Sequence, residues 1–154
     1  MIITTKLKPG TPHDGNAKRK TMNFQCKDQT DYLELTVSGT ADTRDWDPML
    51  QSIVHHPDWR RGLSLLADFC RMDCTEVTPG DVLKATYLTI KMTRQLGQGR
   101  VAILVNDDLN FGLARMFLGH AEDKLTGTYG LFRERNLALA WLATGDALEG
   151  AAPA

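Results

Sequence analysis

The side chains able to do chemistry in this chain are few and scattered. Cys70 and Cys74 are spaced C-x₃-C, but no second pair or nearby histidine completes a four-ligand zinc set, so no metal site is expected. Three cysteines, an odd count, read as reduced thiols, with Cys26 a small apolar core residue. His55 and His56 are adjacent, so on a helix they would point about 100° apart and could not share one ion. With His120 they fall at predicted helix C-termini, where donor side chains satisfy free carbonyls. Ser38, Ser52 and Ser64 lie in predicted strands or a helix, and no G-x-S-x-G turn presents any of them as a nucleophile. The adjacent carboxylates Asp107 and Asp108 read as a helix cap. Gly97-Gln98-Gly99 leads into a strand, so no helix N-terminus follows it to hold a phosphate. These residues predict neither an enzyme nor a cofactor.

Two features stand out as binding candidates. Thr78-Pro79-Gly80-Asp81 has the form of a capping box with proline at the first helical position, so Thr78 is expected to cap a helix. Along that helix Val82, Ala85, Thr89, Met92 and Leu96 form one stripe expected to be buried. Lys84, Tyr87, Lys91 and Arg94 fall on the opposite face, where a tyrosine framed by three cations could recognise a partner or an anion.

The elements that must position these groups follow from periodicity. Met22, Phe24 and Cys26 alternate with polar residues, as do Leu33, Leu35 and Val37, and the polar turn between them predicts a hairpin. Trp46, Met49, Leu50, Ile53 and Val54 recur at helical spacing, with Asp45 or Asp47 available as a cap. Strand-length apolar runs follow at 63–69 and 101–105, the second without polar interruption, as in a strand covered on both faces. The capped helix extends to about Leu96, a third runs from Asp107 through Phe117, and Tyr129 to Phe132 and Leu137 to Leu142 give a last strand and helix. The order is β-β-α-β-α-β-α-β-α, an α/β mixed sheet of about five strands with four main helices and an antiparallel edge.

The 154 residues fit one domain at 21–144, between a basic arm at 1–20 and a loose tail at 145–154. The net charge is −1, yet residues 1–20 carry five Lys and Arg against Asp14 alone. No aromatic residue precedes Phe24 to stack on bases, so the arm is read as a flexible leader, perturbing stability little when deleted, and nucleic acid is not expected as a partner. No apolar run approaches the ~20 residues that would cross a bilayer. No export signal opens the chain, and a cytoplasmic location is expected.

Leu63–Asp68, Arg100–Val105, Phe111-Gly-Leu-Ala-Arg-Met-Phe117, Leu131-Phe-Arg133 and Ala140-Trp-Leu142 together resemble the SpoIIAA-like family over about residues 22–143. That family has the fold of STAS domains, the anti-sigma-factor antagonists, and is related in shape to CRAL-TRIO lipid carriers. The resemblance implies a bacterial regulator that works by protein–protein interaction rather than chemistry. STAS antagonists carry a phosphorylated serine after the third strand. The corresponding segment here, Phe69–Asp81, has none, and Thr75 and Thr78 are the only hydroxyls that could stand in as phosphoacceptors. The CRAL-TRIO relationship implies instead a small hydrophobic ligand in a pocket lined by Phe117, Tyr129, Phe132 and Trp141. A homodimer built on an open sheet face or on the hairpin edge is also expected, because four short helices leave part of one or the other open and Ala102 and Leu104 need cover.

Overall fold

The structure is a computed structural model that describes residues 2–5, 21–145 and 152–153. The five predicted strands are present: β2 (Met22–Asp28), β3 (Tyr32–Thr40), β4 (Ser64–Asp73), β5 (Arg100–Leu104) and β6 (Thr128–Phe132). Two short strands extend the sheet, β1 (Ile2–Thr5) antiparallel to β2 and β7 (Ala152–Pro153) antiparallel to β6. The remainder of the expected arm and tail lies outside the described residues. The hairpin β2–β3 is antiparallel, and β3–β4, β4–β5 and β5–β6 are parallel.

Sheet order follows chain order throughout, and this dictates the layers. Right-handed crossovers between successive parallel strands that always advance in one direction must all pass over the same face. Accordingly α1 (Trp46–Val54), α2 (Pro79–Lys91) and α4 (Asp108–Ala121) cover one face. Into that face point Phe24, Cys26, Leu35 and Val37 from the hairpin, Leu65 and Ala67 from β4, and Val101 and Ile103 from β5. Phe24 opposes Val37 and Cys26 opposes Leu35 in the antiparallel register, so alternation places all four on one side. Gly39 lets β3 run close beside Thr21, adopting a φ of +84° that a side chain would strain.

The second face is covered by α5 (Arg135–Thr144), which follows the last parallel strand and is free to fold underneath. Leu66, Ala102, Leu104 and Phe132 meet Ala138, Trp141 and Leu142 there. The cover that Ala102 and Leu104 were expected to need from a second copy comes from the chain's own last helix. Beyond α5 the face turns polar, with Asn23, Gln25, Thr36 and Ser38 half-exposed. At the boundary Arg135 Nη2 donates to Glu34 Oε1 at 2.5 Å and Nη1 lies 3.5 Å from Asp68 Oδ2. Glu34 is buried, so truncating its partner strands a charge. We expect Arg135→Ala to lower stability by about 1–3 kcal/mol in urea unfolding, less than for a fully buried pair because the guanidinium is half-exposed. A change within error of zero would show that the clasp is cosmetic.

Two local expectations need correction. The second helix is not continuous to Leu96 but breaks at Met92, with α3 (Thr93–Leu96) set off as a separate turn. Thr86 and Thr89 donate their hydroxyls to the carbonyls of Val82 and Ala85, and such back-bonding bends a helix. Met92 N–H then bonds the carbonyl three residues back, at Thr89, and the turn tightens. Nor does Asp45 cap α1. Its side chain is fully buried and accepts the Met22 N–H at 3.1 Å, tying the start of β2 to the helix entry. Asp42 instead caps the preceding 3₁₀ turn at Thr43–Asp45.

Candidate functional site

Between the sheet and α1, α2 and α4 lies a cavity of about 260 Å³. Small side chains create it. Ala67 on β4, Ala85 on α2 and Ala114 on α4 all line it, and no one of them spans the gap to the next. Its lining reaches past the carboxyl ends of β3 and β4 to Ala41, Asp42 and Cys74, the side on which open α/β sheets generally receive ligands. Trp46 stands in its wall. The indole stacks on Phe69 at 5.9 Å and 14°, tilts against Phe117 at 6.2 Å, and donates its N–H to Thr89 Oγ1 at 2.9 Å. With Tyr129 on β6, four aromatic rings from four elements thus frame a mostly aliphatic space.

The polar groups sit at the mouth. Asp42 Oδ2 is held by Arg44 at 2.6 Å. Asp81 Oδ2 accepts the Thr78 N–H at 2.9 Å, and Thr78 Oγ1 accepts the Asp81 N–H at 3.1 Å, the reciprocal box that the sequence predicts. Asn110 is buried at the start of α4 and donates its amide to the Met72 carbonyl at 3.0 Å. Asp107 caps α4 through the Asn110 N–H at 2.7 Å. Cys74 lines the same mouth, and its thiol is pushed up to about 11, chiefly by burial and then by the charges of Asp107 and Asp73. It is held as a neutral thiol rather than a nucleophile.

The sequence-derived candidates are distributed unevenly around this site. Phe117 and Tyr129 line the cavity, but Phe132 and Trp141 do not. They pack on each other at 5.4 Å on the opposite face of the sheet. The four-residue pocket is therefore corrected to two separate sites. Tyr129 and Phe132 are three apart on one strand, and a period of two sends them to opposite sides. Thr78 is engaged as the α2 cap. Thr75 is exposed, and its hydroxyl donates to Asp73 Oδ1 at 2.8 Å. Thr78→Ala should cost about 1 kcal/mol of stability, with serine restoring most of it, and a silent alanine would argue against a working cap. Lys84, Tyr87 and Lys91 are exposed on α2, with Lys91 Nζ 5.6 Å over the Tyr87 ring, while Arg94 is exposed beyond the helix break, on α3. Cys70 faces the α5 side and Cys74 the cavity, and among the described residues no group of three His, Cys, Asp or Glu could hold a metal ion. The residues that the sequence reading missed are Trp46, Ala85 and Asn110, whose helical spacing marked only Trp46 and Ala85, and those only as core.

No family model matches the chain, and no curated protein matches it. Among solved structures it is similar to an uncharacterised protein of Shewanella loihica, from the DUF3478 family, described as having a SpoIIAA-like fold. The match has a TM-score of 0.53 and 18% identity, and covers 82% of this chain and 97% of that one. With its mixed sheet and helices in the same arrangement, the chain has a SpoIIAA-like fold.

Proposed function

We propose that this protein binds a small apolar molecule in the cavity beneath α2. The observation that carries the reading is the cavity itself: 260 Å³ of apolar space, framed by Trp46, Phe69 and Phe117 and reaching past the carboxyl ends of β3 and β4. A dry cavity of ~150 Å³ accommodates benzene, so this one suits a ligand of about ten heavy atoms. Burying eight carbons of such a ligand contributes roughly 6 kcal/mol before ordering costs. For a simple probe such as 1-octanol we therefore expect a Kd of about 0.1–1 mM. A natural ligand with better-placed polar atoms would bind more tightly.

Titration with 1-octanol, followed by Trp46 fluorescence against Trp46→Phe as the blank, tests the reading. A saturable change is expected. Its absence up to the solubility limit would sink the proposal. Native mass spectrometry of protein purified from its own cells supplies the second measurement, a retained ligand appearing as a small added mass.

A second reading, a regulatory module that docks a protein, draws support from the outer face of α2. Leu83 and Tyr87 are 55% and 61% exposed, one turn apart, and stand beside Lys84 and Lys91. An exposed tyrosine one turn from an exposed leucine suits the core of an interface, where aromatic side chains are enriched. The same mass spectrum separates the readings, since a docked partner adds the mass of a protein. A second copy of this chain would add its own mass.

A further inference from the structure

We propose that the cavity selects ligands by their head group, taking an alcohol or an amine and rejecting a carboxylate. This rests on the ligand-binding reading above and adds the chemistry of the polar end. Two kinds of group could attract an acid to this mouth, cationic side chains and the free N–H groups of helix N-termini.

Neither is available. The side chains lining the cavity include the carboxylates of Asp42 and Asp81 but no Lys, Arg or His. Arg44 stands nearby, bonded to Asp42 through both Nε and Nη2, so those two charges offset each other and Asp81 sets the sign of the mouth. The starts of α2 and α4 both come to the mouth, where an N-terminus would ordinarily favour an anion. Each already has an anion of the chain's own beside it, Asp81 bonded to the Thr78 N–H at α2 and Asp107 bonded to the Asn110 N–H at α4. An incoming carboxylate would find those two amides taken and would lie beside Asp81.

Besides the hydroxyls of Thr43 and Tyr129, the groups left to meet a ligand are acceptors. The Trp46 N–H is used by Thr89, and the Thr89 hydroxyl by Ala85. The Asn110 amide nitrogen serves the Met72 carbonyl, which leaves its Oδ1 to accept. Asp81 keeps its second carboxylate oxygen. An O–H or N–H donor on the ligand completes this set, whereas an acceptor-only carboxylate cannot. The Cys74 thiol is pushed up first by burial and then by Asp107 and Asp73, two charges of the same sign as Asp81.

Three probes with one apolar body isolate the head group: 1-octanol, n-octylamine and octanoate, titrated into the full chain at pH 7. We expect the alcohol and the amine to bind, and octanoate to bind at least ten-fold more weakly. Octanoate binding as tightly as 1-octanol would overturn the selectivity while leaving the cavity reading intact. Failure of all three to bind would overturn both. Asp81→Asn keeps a capping acceptor and removes the charge, so the affinity for octanoate relative to 1-octanol should rise at least three-fold. An unfolding midpoint close to that of the parent protein shows that the fold persists. If octanoate does not respond in this variant or in Asp42→Asn, the mouth carboxylates are not the selecting groups and the proposal fails.

Discussion

Trp141→Ala is expected to destabilise the protein by about 3–5 kcal/mol, the usual cost of deleting a buried indole. A chain of this size would then melt roughly 6–20 °C lower. The magnitude follows from what the ring does. It is 8% exposed and packs on Phe132 at 5.4 Å, helping to cover Leu66, Ala102 and Leu104. It also lies on the strand at Gly130, where an added Cβ would come within 3.3 Å of the indole and 2.7 Å of the Phe132 ring. Nothing else in α5 has the size to fill the space, so the void would remain. Because α5 and the cavity are on opposite faces, the variant should still bind 1-octanol at temperatures where it is folded. Thermal unfolding and octanol titration of one sample check both halves. A fall of less than 1 kcal/mol would mean that the second face tolerates exposure.

Ala85→Leu should act in the reverse sense, weakening 1-octanol binding while sparing stability. Ala85 is 8% exposed and lines the cavity from α2. Leucine there occupies the space of about three ligand carbons at ~0.8 kcal/mol each, so the affinity for 1-octanol should fall about fifty-fold. Filling a void usually leaves stability unchanged or raises it by about 0.5–2 kcal/mol. Ala140→Leu, at an exposed position on α5, is the matched control and should change neither property. Octanol binding that survives Ala85→Leu would place the ligand elsewhere.

Much of the fold was legible because it is written in local periods. Met22, Phe24 and Cys26 alternate, Trp46 to Val54 recur at helical spacing, and Thr78 with Asp81 announces a helix start; each depends only on near neighbours. What could not be read locally depends on residues far apart. Asp45 looks like a cap until its carboxylate is found on the Met22 N–H, across the turn from β2. The cavity exists because Ala67, Ala85 and Ala114, each unremarkable in its own element, converge on one space. The helix break at Met92 arises from two threonines whose hydroxyls choose the preceding carbonyls. The division of Tyr129 from Phe132 was legible in their spacing, and a pocket that gathered both overlooked the alternation of the strand. Which face α5 would cover required the order of the whole sheet.

That order has a consequence during synthesis. Every strand from β1 to β6 lies next to the one made just before it, so the sheet can grow in step with the emerging chain, each new strand docking on a finished neighbour. The face under α1, α2 and α4 is sealed progressively, one crossover at a time. The other face has no such provision. Leu66 and Ala102 are made well before Trp141, and they stay uncovered until residues 135–144 have left the ribosome and folded back. Nascent chains stalled before that point would carry a bare apolar sheet, and chaperones should crowd on them until the last helix arrives.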